Sequence, residues 1–577
     1  MQNNRKCECL FLGALFCLLA LSSCGFIDTF KENQNLDVSS AVYKKISSST
    51  MNLSGVANRK TELYMFVYNM NDTPVYSDSY KIFLGGGRSA YCDENNDADT
   101  FELSEHSVSS IGKNCSSSFI SSSCGLSLEH IKSAYTRFPE HFLERAVSSK
   151  ESYDRTKNKA ASKIGDRSAF YTITIDRLTD SEKIKVINAD CVYVNPVCQV
   201  FVENGYFDSR TTGRDYTTGN SIKITQQGAR KIADKFKAIY GAETALLGDV
   251  SLDEFNYGDI IETSEKITIL LSNLGKSQSG EITLGYFYPG DLYCDFDVKF
   301  KGAEIKGAEI DDFSNQRQMF TLNIAGFSED YGADVIYSTL GHEFNHMINF
   351  INKVVRHNTK FDTWFTEMLS AIAEDFVPDY LDIENTVKYK RIPYFNMSPY
   401  SGMLDWNETG NSLYAYGFAY TFGAYLVRNY GGAKIIYEMA NNTFYGKDAI
   451  SAALKSCGYN ESYETVFQKF GLIMTNADGR DVESPTLNKE IVDRLDTYTY
   501  RFPAIDLYDC AEESQKESGP YFFTIEDNHI YFPNKIFSNG FYATYLGYAK
   551  DWNYSLAFSP PSSSSGITAY DYVKNGD

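Results

Sequence analysis

A chain of 577 residues exceeds one ordinary core and corresponds to roughly three or four units of about 150 residues each. Hydrophobic residues at 43% and charged residues at 22% exclude wholesale disorder and a multi-span membrane protein. With 54 Lys+Arg against 75 Asp+Glu the net charge is −21, which repels a phosphate backbone, so no nucleic-acid partner is expected. Aromatic residues at 15% with only 13 prolines point to abundant β-structure.

In chain order, the first feature is the apolar run from Leu10 to Leu21, which follows Arg5 and Lys6. It is too short to cross a bilayer and reads as the central region of a secretory signal. It ends in Leu21-Ser22-Ser23-Cys24, which resembles the lipobox of bacterial lipoproteins. That resemblance implies cleavage before Cys24, a diacylglyceryl group on its thiol, and a lipid-anchored, extracytoplasmic place in the bacterial cell envelope. No later run approaches the roughly 20 apolar residues that a spanning helix needs. Past Cys24 the cysteines are Cys92, Cys115, Cys124, Cys191, Cys198, Cys294, Cys457 and Cys510. Their even number permits up to four disulfides, and Cys115/Cys124 and Cys191/Cys198 are spaced as local loop staples. No Cys-x-x-Cys pair occurs, which disfavours a cysteine-based zinc site.

Residues 24–50 are polar and Ser-rich, as expected of a tether. From 51 to 219 short alternating runs such as Leu63–Tyr68 and Tyr171–Ile175, and further strands around Val186–Val202, predict a β-rich N-terminal domain. A helical island near Leu126–Ala146 interrupts it, and the acidic stretch Asp93–Asp99 lacks the Gly and Glu of a calcium loop. Near residue 220 the pattern changes. Ala229, Ile232, Ala233, Phe236 and Ile239 fall at helical spacing, and Lys266–Leu271 reads as a buried strand. Helical periodicity fills 333–478, and 479–577 returns to short Tyr/Phe-rich runs. The expected architecture is multidomain: signal 1–23, lipidated tether 24–50, β-rich domain 51–219, an α+β domain with a mainly helical C-terminal half at 220–478, and a small C-terminal β-domain at 479–577.

The chemistry is concentrated in His342-Glu343-Phe344-Asn345-His346. On a helix, positions i and i+4 share a face, so both imidazoles reach one metal ion. Glu343, turned by about 100° from His342, falls where a water would bind, as a general base rather than a ligand. Two of the chain's seven histidines lie here. A third histidine at metzincin spacing is absent, since Asn349 and Asn352 hold the Gly and His positions. Trp364–Phe376 instead predicts a second helix, capped near Asp362 or Thr363 and ended before Pro378. Its Glu367 completes a His₂Glu zinc site, the open catalytic ligand set.

These two segments resemble the active-site helices of the hyicolysin family, zinc metallopeptidases of the gluzincin type. Gly285-Tyr286-Phe287, Asp291-Leu292, Ser314-Asn315 and Met319-Phe320 also resemble that family's pattern, so the likeness covers about 220–475. It departs at the glutamate, where relatives usually read Asn-Glu-Gly and this chain has Thr366 and Met368 as flanks. The resemblance implies a thermolysin-like catalytic domain, bound Zn²⁺, and endopeptidase action on protein or peptide substrates. It further implies an oxyanion donor from a later helix, for which Tyr416 is the candidate in Tyr-Gly-x-x-x-x-Phe. His357 reads as a loop histidine, and Glu374 and Asp375 as partners that orient an imidazole or as surface charges. The competing expectation is a surface adhesin or binding lipoprotein on a catalytically weakened peptidase scaffold.

Overall fold

The computed structural model describes residues 34–37, 42–46, 51–54, 62–76 and 81–85, most of 160–510 with its longest gap at 294–313, and most of 519–574. The signal at 1–23, Cys24, the acidic stretch at 93–99, the island at 126–146 and Cys92, Cys115, Cys124 and Cys294 lie outside the described residues. The described residues fall into two compact units, one drawn from those within 1–65, 78–102 and 545–577 and the other from those within 66–77 and 103–544. Among the described residues no helix is long and apolar enough to cross a membrane.

The first unit is built of strands. Gln34–Asp37, Met51–Ser54, Ser555–Ser559 and Lys81–Gly85 form one sheet in that order. Val42–Lys45 pairs antiparallel with Ile567–Lys574, and Tyr43 stacks on Tyr570 at 4.6 Å. Residues 34–37 and 42–45, expected to be tether, are therefore strands. Their order comes from backbone pairing with distant partners, which polar side chains do not advertise.

The second unit holds a six-stranded mixed sheet. Its strands are β1 (Arg167–Asp176), β2 (Ser181–Val194), β3 (Cys198–Glu203), β4 (Ile267–Ser272), β5 (Gly285–Tyr286) and β6 (Met319–Asn323). The order is β5-β6-β4-β3-β2-β1. β6, β4 and β3 run parallel, while β5 lies antiparallel at one edge with Gly285 opposite Leu322. Every residue of β3 and β4 is buried, as expected of parallel strands covered on both faces. The sheet joins strands on both sides of residue 220, because the pairing of β3 with β4 is long-range and composition does not register it.

A parallel pair needs a crossover, and α1 (Gln226–Leu247) supplies it between β3 and β4. Thr225 caps it by accepting from the Gly228 N–H at 3.1 Å. Its predicted apolar stripe is buried, and Phe236 meets Phe320 of β6 at 5.5 Å. The helical half follows: α2 (Ala333–Phe350), α3 (Thr363–Leu381), α4 (Val387–Met397), α5 (Ser412–Tyr430), α6 (Ala433–Asn441), α7 (Gly446–Ser456) and α8 (Tyr463–Phe470). α3 does not end before Pro378 but runs through it to Leu381, where Asp382 closes it in the left-handed conformation. Pro378 falls in the last turn and forfeits one backbone bond, since it has no N–H for the Glu374 carbonyl, while the buried Val377 and Leu381 hold that turn in place.

The stretch 479–577 is divided between the two units. The hairpin of β7 (Ile491–Leu495) and β8 (Tyr498–Phe502) packs on α3, with Tyr500 and Phe502 at 5.3 and 5.9 Å from Phe376. The expected Cys191/Cys198 staple is absent as well. Both are free, buried thiols, and Cys191 stands opposite Phe201 in the β2/β3 register. The Cys198 thiol turns to the Ala233 carbonyl at 3.9 Å, and burial pushes the Cys191 thiol up to about 11. Cys457 and Cys510 are also free.

Candidate metal centre

α2 is buried along nearly its whole length, so its polar residues are committed to interior contacts. Phe344 anchors it to α1, meeting Phe236 at 5.0 Å and Tyr240 at 5.3 Å. α3 also lies against it, and Gly341 lets both neighbours come close. A Cβ there would come within 2.8 Å of a Val377 methyl and 3.0 Å of Glu243 Oε1. That approach delivers Glu367 to the two histidines.

The Nε2 atoms of His342 and His346 are 3.1 Å apart, and Glu367 Oε2 lies 3.3 and 3.4 Å from them. A tetrahedral zinc with bonds of 2.0–2.1 Å would set its ligand atoms about 3.3 Å from one another. All three residues are buried, and they are the one cluster among the described residues with metal-ligand geometry. Glu367 Oε2 is buried with no hydrogen-bond partner, which is costly unless a cation occupies the space it faces. Two imidazole nitrogens and a carboxylate oxygen suit zinc, so the residues fit the ion that the spacing implied.

The outer nitrogens are held from α3 and α4. His342 Nδ1–H donates to Glu374 Oε1 at 2.9 Å, and Arg391 Nη2 donates to the same oxygen at 2.7 Å. A carboxylate acceptor at Nδ1 fixes the tautomer whose Nε2 carries the lone pair. Burial alone would raise Glu374, but Arg391 and His342 outweigh it and hold its carboxyl down to about 2. Glu367 behaves likewise, with the two histidines overriding burial and holding it well below the usual carboxylate range. His346 Nδ1 sits between two hydroxyls one turn apart on α3, Ser370 Oγ at 3.0 Å and Thr366 Oγ1 at 3.2 Å. Thr366, the departure from the family's Asn, thus touches the ligand beside it.

Glu343 is buried next to the cluster. Burial raises its pKa, the histidines pull it back, and the Phe287 backbone N–H beyond edge strand β5 donates to it. The Gly285-Tyr286-Phe287 segment therefore places a backbone donor at Glu343. Asp291 and Asn315 brace the segment that follows, since the Asn315 N–H donates to Asp291 Oδ1 at 2.7 Å.

Tyr416 is buried on α5, and its ring centre lies 4.8 Å from the guanidinium of Arg391, the residue that grips Glu374. Asp375 turns away from the centre. It accepts from Tyr420 at 2.7 Å and Arg428 at 3.0 Å, forming a buried ion pair between α3 and α5. His357 closes the π-helical turn Ile351–Arg356 that extends α2, outside the cluster. Two contributors escaped the sequence reading. Ser370 was detectable, being one turn beyond Thr366 on the face that Glu367 serves. Arg391 was not, because only the packing of α4 brings it to Glu374.

Residues 185–515 match a family described as Peptidase M30. The neutral metalloprotease ShpI of Staphylococcus hyicus is 23% identical over 244 residues, which cover 40% of this chain and 49% of that protein. The chain thus spans about half the length of the curated relative it matches.

Proposed function

Because the chain belongs to the peptidase M30 family, we propose that it is a zinc-dependent endopeptidase of the gluzincin type, with a thermolysin-like arrangement around α2 and α3. The observation that carries this reading is the buried triangle of His342 Nε2, His346 Nε2 and Glu367 Oε2, with edges of 3.1–3.4 Å and Glu343 beside it. Zinc held there supplies Lewis acidity toward water and the scissile carbonyl. Glu343, with its pKa raised by burial, takes the proton of the attacking water as the new C–O bond forms. It returns that proton to the amine nitrogen as the C–N bond breaks. Tyr416 is the proposed donor to the developing oxyanion. The Leu10–Leu21 run and Leu21-Ser22-Ser23-Cys24 support the further reading that the enzyme is held outside the cytoplasm by lipid on Cys24.

The purified protein is expected to carry about one zinc per chain and to cleave a casein-type substrate until a chelator is added. Glu343→Gln should retain the metal and lose roughly 10²–10⁴ in rate. Full activity in that variant, or casein cleavage indifferent to chelation, would overturn the proposal. Cys24→Ser is expected to move the protein from the membrane fraction to the soluble one. An unchanged distribution would remove the anchor and leave the catalytic reading standing.

A further inference from the structure

Glu243 on α1 is fully buried, and among the described residues it makes no ion pair with a Lys or Arg, His342 being the nearby group that favours its charge. Neither of its carboxylate oxygens completes a hydrogen bond, and the same is true of Asn345 Nδ2. The carboxylate sits against Gly341, and the Asn345 amide is the side-chain donor that faces it. A buried carboxyl of this kind is costly, and an apolar residue of similar size would fill the space without that cost. Its surroundings indicate what it does for the site.

Asn345 Oδ1 accepts from Asn349 Nδ2 at 2.5 Å and from Ser370 Oγ at 3.3 Å. With two donors on the oxygen, the amide is fixed with Nδ2 on the opposite side, toward Glu243. Ser370 has given its proton to Asn345, so its oxygen accepts from His346 Nδ1–H at 3.0 Å. The donors run in one direction, His346 to Ser370 and Ser370 to Asn345, and leave the Asn345 amide nitrogen facing the Glu243 carboxylate. We propose that Glu243 is a positioning residue of the metal centre, orienting the Asn345 amide and, through Ser370, holding His346 with its proton on Nδ1 and its Nε2 lone pair toward Glu367. His342 is oriented directly by Glu374 of α3 and His346 at longer range by Glu243 of α1, so both helices packed on α2 set the imidazoles. The inference rests on the metal-centre reading above.

The test is zinc affinity of the full chain, measured by competition with a chromogenic chelator, with the unfolding temperature of the metal-free protein as the control for fold. Ser370→Ala is expected to weaken zinc binding by roughly tenfold or more. Asn345→Asp should weaken it similarly, because it replaces the donor facing Glu243 with an acceptor. Adding Glu243→Gln to Asn345→Asp should restore affinity, since the new amide donates in the reverse sense across the same contact. A purely structural Glu243 would leave affinity unmoved while the unfolding temperature changed. Wild-type affinity in Ser370→Ala, or no recovery in the double variant, overturns the relay alone. A wild-type chain that takes up no zinc overturns the metal-centre reading and the relay together.

Discussion

Residue chemistry at this centre is decided by what stands behind each ligand. Glu374 gives His342 a charged acceptor, and Arg391 keeps that acceptor ionised. Glu374→Ala is therefore expected to weaken zinc binding about 10–100-fold, read by chelator competition, because losing such an outer partner frees the imidazole and lowers its basicity. An affinity equal to wild type would mean that α2 alone orients His342. Tyr416→Phe separates two roles for a tyrosine that also packs under Arg391. As an oxyanion donor, its loss should lower kcat by roughly 10²–10³ with little change in KM. A residue that only packs would lower unfolding temperature with kcat intact.

Among the elements, α3 carries the most. It presents Glu367, Thr366, Ser370 and Glu374 to α2, and one residue later Asp375 to Tyr420 and Arg428 of α5. Successive residues on a helix face about 100° apart, so Glu374 and Asp375 serve different neighbours although they adjoin in sequence. Arg428 is fully buried, and its removal strands the Asp375 charge. Arg428→Ala is expected to destabilise the fold by about 3–5 kcal/mol in denaturant unfolding while zinc stoichiometry persists in the folded fraction. A loss near zero would show that water reaches Asp375. The helix boundary at Pro378 belongs to this scale too. Local rules end α3 there, whereas the buried final turn carries it on to Leu381.

For the whole molecule, stability should depend on pH through Asp291. Burial raises its carboxyl from 3.8 to about 7, against the Asn315 bonds and Arg317, which favour the charge. The folded state thus holds its proton to higher pH than the unfolded chain. The associated stability is fully present below about pH 3.8 and is lost as pH rises through 7. In Asp291→Asn this component vanishes, so unfolding free energies of variant and wild type should diverge in the variant's favour between pH 4 and 8, by up to a few kcal/mol. A constant difference across that range would show that Asp291 stays ionised in the fold.

The sequence by itself predicted the cluster's two histidines, since His342 and His346 share one face of a helix and the 3.6-residue repeat turns Glu343 about 100° away from His342. It also determined α1, whose apolar stripe is local, and the second helix with Glu367. Tertiary structure decided everything that depends on partners distant along the chain. The strands at 34–37 and 42–45 exist through pairing with residues beyond 50, the sheet crosses residue 220 because β3 lies beside β4, and 479–577 serves two units. The thiols of Cys191 and Cys198 stay apart because strand register places Phe201, not Cys198, opposite Cys191. Arg391 and Glu243 reach the centre through helix packing, and short sequence spacing carries no trace of a contact made by folding.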